Sequence, residues 1–124
     1  MKKSKTLFVA GNRMLRPTEI PLFPLQSVLF PGGTLDLQIF EQRYLDMFSR
    51  CMKSELPFGV LLICEGNETG PAKTFDIGTL ARIVDWYQGS DGLLGVTVTG
   101  TERFRRLSER REPDGLLIGE IELL

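Results

Sequence analysis

The chain contains no histidine. That absence removes Ser–His–Asp and Cys–His nucleophile pairs, HExxH metal sites and imidazole acid–base chemistry. Cysteine is nearly as scarce, with only Cys51 and Cys64, and neither belongs to a C-x-x-C pair. Two thiols alone do not complete a tetrahedral zinc site, and they read as reduced side chains of a cytoplasmic protein. No cofactor and no metal are therefore expected. No apolar run reaches the length that spans a bilayer. Lys2-Lys3 followed by Leu7-Phe8-Val9-Ala10 is too short for a secretory h-region, so no membrane partner is expected. A phosphate loop is missing as well. In Gly66-Asn-Glu-Thr-Gly-Pro-Ala-Lys-Thr74 the second glycine stands three residues before Lys73, whereas a Walker loop needs glycine and lysine adjacent.

Charge of one sign is not in excess overall, because 15 basic and 16 acidic residues leave a net charge of −1. It is unevenly placed. Residues 1–16 carry Lys2, Lys3, Lys5, Arg13 and Arg16 and no acid, giving +5, so the remainder, with 10 basic and 16 acidic residues, carries −6. An acidic body argues against a nucleic-acid footprint. The cluster Arg103, Arg105, Arg106, Arg110 and Arg111 is interleaved with Glu102, Glu109, Glu112 and Asp114, which reads as an ion-paired, solvated strand.

What is present is a Pro-broken apolar run, Glu19-Ile-Pro-Leu-Phe-Pro-Leu-Gln-Ser-Val-Leu-Phe-Pro-Gly-Gly33. Each proline fixes its own φ and removes a donor, so the run cannot be helix or mid-sheet ladder. It must extend, bend and extend again, with Leu22, Leu25, Val28 and Leu29 inward. The chain predicts strands at Ile20–Leu25 and Thr34–Ile39, the latter with Leu35, Leu37 and Ile39 on one face and Asp36 and Gln38 on the other. Phe40–Ser54 switches to helical period: Tyr44, Met47, Phe48, Cys51 and Met52 share a face, acids come early, and Arg50 and Lys53 come late. Further strands are predicted at Phe58–Cys64, Gly78–Gln88, Leu93–Gly100, Thr101–Arg111 and Leu116–Leu124. A short strand is suggested at Leu7–Ala10. Glu65–Asp76 reads as a polar loop, and Gly89–Gly92 and Pro113–Gly115 as turns. The expected fold class is α+β and β-rich, a barrel or sandwich of about six strands with one main amphipathic helix. Residues 1–18 read as a loose basic tail and 19–124 as the folded domain. The expected core joins Leu22, Leu25, Leu37 and Ile39 to Val60, Leu62, Val96 and Val98.

Three blocks carry a family resemblance. Pro21-Leu-Phe-Pro-Leu25, Phe30-Pro-Gly-Gly33 and Leu37-x-Ile-Phe-Glu41-x-Arg43-Tyr44 form the first. Gly78-Thr79-x-Ala81-x-Ile83 is the second, and Asp91-Gly92 with Val96-x-Val98-x-Gly100-x-x-Arg103-Phe104 the third. In this order they resemble the N-terminal, substrate-recognition domain of Lon proteases, which also occurs in small stand-alone bacterial proteins. Two departures stand out: Gln42 where stand-alone members usually have proline, and Asp36 and Gln38 where proline and arginine are common. The resemblance implies a PUA-like pseudo-barrel with one helix packed across it. It also implies a C-terminal helical half that this chain lacks, in keeping with a sequence that stops inside a strand pattern.

The resemblance implies a non-catalytic module that binds unfolded or apolar-rich polypeptide or a protein partner. Neither an ATPase nor a peptidase motif accompanies it. Two alternatives stand beside it: an RNA-binding PUA-like module, disfavoured by the acidic body, and an enzyme with an unrecognised site. Phe30 in the Pro-rich loop and Trp86 and Tyr87 beside a turn are the candidate polypeptide-binding anchors. Adjacent strand residues face opposite ways, so one of Trp86 and Tyr87 must point outward. The apolar C-terminal strand, if uncovered, would offer an edge for homodimerisation.

Overall fold

A computed structural model describes residues 18–68, 72–89 and 92–124. Two long antiparallel strands organise it, β4 (Ala72–Gln88) and β5 (Leu94–Arg111). They pair from Gln88↔Leu94 to Ile77↔Arg105, with register shifts between Thr79 and Ala81 and between Ile83 and Asp85. Such bulges bend a ribbon and raise its twist. β5 is long enough to serve two neighbours on its other edge. Its first half carries β2 (Thr34–Ile39), and its second half carries β6 (Leu117–Leu123). On the far side β4 pairs with β3 (Phe58–Gly66), β3 runs parallel to β1 (Thr18–Leu25), and β1 runs antiparallel to β6. The ring β5–β4–β3–β1–β6 therefore closes on itself, with β2 attached outside it. This is the expected β-rich pseudo-barrel with one helix, α1 (Gln42–Ser54).

Closure corrects one expectation. β6 has β1 along one edge and β5 along the other, and Leu117, Ile118 and Ile121 are buried. The turn at residues 112–115 folds β6 back onto β5, and the opening Pro-rich strand covers its second edge. Among the described residues β6 is therefore paired on both edges over residues 117–121, and the uncovered edge expected there is absent.

Strand alternation makes two apolar layers. The barrel interior holds Ile20, Leu22, Leu61, Leu80, Phe104 and Ile121. It is narrow: a Cβ added at Gly59 would stand 2.7 Å from Phe104 Cζ, and one at Gly78 would stand 2.4 Å from the Val60 carbonyl oxygen. The second layer lies between the barrel's outer face and α1. Tyr44, Met47, Phe48 and Cys51 from the helix meet Phe23, Phe58, Val96 and Val98. Phe23 stands edge-on to Tyr44 at 4.5 Å, and Phe48 to Phe58 at 5.1 Å, the preferred geometry for aromatic pairs.

Of the expected core, Leu22, Leu25, Ile39, Val60, Val96 and Val98 are buried, while Leu37 and Leu62 are only half-buried. Val28 is 49% exposed, contrary to expectation, because the chain turns outward before Leu29 turns in. The helix begins at Gln42, and its first turn holds no acid. Glu41 occupies the cap position and makes no side-chain capping bond. The segment read as a polar loop is largely hairpin, since Glu65↔Lys73 and Gly66↔Ala72 are ladder pairs. Asp36, Gln38 and Gln42, where the chain departs from the family pattern, are all exposed. The strand suggested at Leu7–Ala10, and the tail apart from Thr18, lie outside the described residues. Among the described residues no helix is long and apolar enough to cross a membrane.

Candidate functional site

Phe30-Pro31-Gly32-Gly33 forms a reverse turn in which the Gly33 N–H donates to the Phe30 carbonyl at 2.8 Å and Gly32 has φ +82°. Proline at the second position and a positive-φ glycine at the third are what a type II turn requires. The turn is tied down on two strands. The Gly32 N–H donates to the Gly100 carbonyl at 2.9 Å, and the Gly100 N–H returns a bond to the Gly33 carbonyl at 2.9 Å. The Thr79 hydroxyl, on a buried residue, donates to the Leu29 carbonyl at 2.8 Å. Gly100 cannot carry a side chain here, since a Cβ would fall 2.3 Å from the Phe30 carbonyl oxygen. Leu29 plugs into the outer apolar layer, and Phe30 is left 62% exposed on backbone that cannot easily move.

Below this turn the outer apolar layer continues past the reach of α1 and becomes an open groove of about 420 Å³. Its floor is Val60 and Leu62 of β3 with Ile77 of β4. Phe30, Val28 and Phe75 form its walls, and Phe75 is 52% exposed. Arg103 and Asp76 supply charge at the rim. Thr79 and Arg103 are cross-strand partners, so their side chains leave the sheet on the same side. Asp76 is neutralised by Arg106, which also reaches Glu109 at 2.8 Å. Arg103 has no ion-pair partner among the described residues.

The three candidate anchors do not converge. Trp86, 61% exposed, lines a second groove of about 420 Å³ beside the end of α1, with Met52 and Leu56. Trp86 pairs with Val96 and Tyr87 with Gly95, so the two rings leave opposite faces of the ribbon. The Tyr87 ring covers Gly95, where a Cβ would stand 2.4 Å from Cε2. Sequence reading missed Phe75, which falls in the segment taken for a polar loop, and Ile77, which lies between that segment and the predicted strand. The period-two run Phe75-Asp76-Ile77 was the available signal.

The chemistry of the remaining groups is quiet. Burial pushes the Cys51 thiol up to about 11, which removes thiolate character at neutral pH. Burial also raises the Tyr44 hydroxyl above its ordinary range, against the lowering effect of Arg43. Arg43 itself is structural: it donates to the Gly115 carbonyl at 3.1 Å, pairs with Glu41 and stacks 4.8 Å from the Tyr44 ring centroid. Arg105 meets Glu122 at 3.5 Å and Arg110 meets Glu19 at 3.1 Å, so most of the Arg cluster is spent on internal acids. Among the described residues no three of Asp, Glu and Cys gather as a metal site would need.

Residues 19–124 match the family model of the "ATP-dependent protease La (LON) substrate-binding domain". The chain belongs to the Lon substrate-binding domain family. It is 31% identical over 94 residues to the Lon protease of Anaeromyxobacter dehalogenans, covering 73% of this chain and 11% of that protein. It is 28% identical over 109 residues to the protein cereblon of Danio rerio, covering 85% of this chain and 25% of cereblon. A Lon N-terminal domain protein from Xanthomonas campestris superposes with TM-score 0.76 at 42% identity, covering 86% of this chain and 59% of that one. The N-terminal domain of a Mycobacterium avium complex Lon protease shares the fold at TM-score 0.67 and 14% identity, covering 86% of this chain and 55% of that one. The chain thus spans about a tenth of the Lon proteases it resembles. What it shares with them is the substrate-binding domain.

Proposed function

We propose that this Lon-type domain acts without catalysis, as a recognition module for apolar segments of non-native polypeptide, and that it does so through the groove beneath Phe30. The supporting observation is the pinned turn. An exposed aromatic ring on a hydrogen-bonded, glycine-clamped backbone gives up little conformational freedom on binding, and preorganised aromatic anchors supply most of the energy at such surfaces. The family supports polypeptide as the ligand class. The ion pairs within the Arg cluster speak against an RNA backbone as ligand, and the two free thiols fit a reducing, cytoplasmic setting.

The test is fluorescence anisotropy of a labelled, permanently unfolded carboxymethylated polypeptide titrated with the chain. Phe30→Ala and Phe75→Ala are each expected to weaken binding roughly tenfold, the effect of losing one anchor. Trp86→Ala and Tyr87→Ala, on other surfaces, are the comparison. Loss of binding in those two with none in the first two would move the site to the second groove.

A further inference from the structure

The groove under Phe30 carries more than apolar surface. Two of its polar groups are already committed to the fold: the Thr79 hydroxyl to the Leu29 carbonyl, the Asp76 carboxylate to Arg106. Two lining side chains stay uncommitted among the described residues, the exposed Ser27 hydroxyl and Arg103; Arg103 is the charged one, lies on the Thr79 side of the sheet and has no ion pair among the described residues. Other arginines of β5 are treated differently, since Arg105, Arg106 and Arg110 each hold an acid of this chain. A guanidinium left uncommitted beside two aromatic walls is complementary to a carboxylate attached to an apolar group.

We infer that the groove recognises the C-terminal end of a polypeptide whose last residue is apolar, with the side chain against Phe30 and Phe75 and the terminal carboxylate accepting hydrogen bonds from Arg103. This rests on the polypeptide-binding role given above and specifies its ligand. The size of the groove favours an end over a passing chain. About 420 Å³ is at the small end of ligand pockets and holds a residue or two. A terminal apolar residue presents ring or branched carbon and carboxylate on one Cα. An internal acidic residue would need a second residue for its apolar contact and room for chain on both sides.

The experiment uses the full chain and a labelled octapeptide of neutral, soluble sequence ending in Leu-Phe, made with a free C-terminal carboxylate and as the carboxamide. A third peptide carries the carboxamide with an internal Glu next to Phe. The free acid is expected to bind roughly three- to tenfold more tightly than the carboxamide at low salt, the range for a partly exposed arginine–carboxylate pair, with the gap narrowing as salt rises. Arg103→Gln is expected to close that gap by weakening the free acid more than the carboxamide, and Phe30→Ala to weaken both peptides. Equal binding of acid and carboxamide to the unmodified chain, or an Arg103→Gln variant that weakens both alike, overturns the inference but leaves the apolar groove standing. Preference for the internal Glu peptide over the free acid overturns the terminal assignment. No binding of any peptide, or binding indifferent to Phe30→Ala, overturns the groove reading as well.

Discussion

The narrow barrel interior makes a sharp prediction about Gly59. A methyl group added there would stand 2.7 Å from Phe104 Cζ, 2.9 Å from Cε2 and 3.0 Å from Ile20 Cδ1, all of them side-chain atoms. Phe104 is fully buried and cannot swing into solvent. Gly59→Ala should therefore cost about 1–3 kcal/mol by overpacking. Phe104→Leu, which removes the two offending ring atoms, should cost about 1–2 kcal/mol on its own as a partial cavity, less than the 3–5 of a full truncation to alanine. Together the two changes relieve each other, so the double variant should fall short of the sum by about 1–2 kcal/mol. Gly78→Ala is the contrast: its methyl would meet the Val60 carbonyl oxygen at 2.4 Å as well as Phe104 Cζ at 2.8 Å. A backbone oxygen in a paired strand cannot yield, so Phe104→Leu should rescue Gly78→Ala far less. The assay is urea unfolding followed by far-UV circular dichroism, comparing midpoints at a common slope. With total stability of about 5–15 kcal/mol, each single variant remains folded enough to measure. Additivity of Gly59→Ala and Phe104→Leu within about 0.5 kcal/mol would refute the packing argument.

Gly100→Ala should displace the Phe30 turn, because the methyl would lie 2.3 Å from the Phe30 carbonyl oxygen. The expected outcome is an intact circular dichroism spectrum, a stability loss of about 1–3 kcal/mol, and weaker binding of unfolded polypeptide. Wild-type affinity in this variant would show that the pinned turn is irrelevant to binding. Cys51 sets an alkaline limit. Its folded thiol is pushed up from 9.0 to about 11 by burial, so unfolded chains lose the proton first. The stability it contributes is complete below pH 9.0 and is lost as pH rises toward about 11, with a slope of up to about 1.4 kcal/mol per pH unit. Cys51→Ala should flatten that part of the pH profile of urea midpoints. In alkylation at pH 8, exposed Cys64 should react at once and Cys51 only on unfolding.

The sequence by itself determined the elements whose signal is local. Helical spacing of Tyr44, Met47, Phe48 and Cys51 marked α1, and period two marked β2, because one face of each meets an apolar layer. The proline-broken run up to Gly33 announced a bend, and the structure makes it a type II turn at Pro31 and Gly32, residues that suit the required φ values. Tertiary structure decided what depends on contacts distant along the chain. Barrel closure places β1 and β5 on either side of β6, and no local pattern distinguishes a covered edge from an open one. Phe75 and Ile77 reach the groove only because β4 runs beside β3 and under the Phe30 turn. Trp86 and Tyr87 part company because successive residues of one strand face opposite ways, and packing alone settles which face meets α1. The freedom of Arg103, beside three arginines that are spent on acids, is likewise decided by tertiary structure: Arg105 meets Glu122 across the β5–β6 ladder, and Arg110 reaches Glu19 on β1, beyond β6.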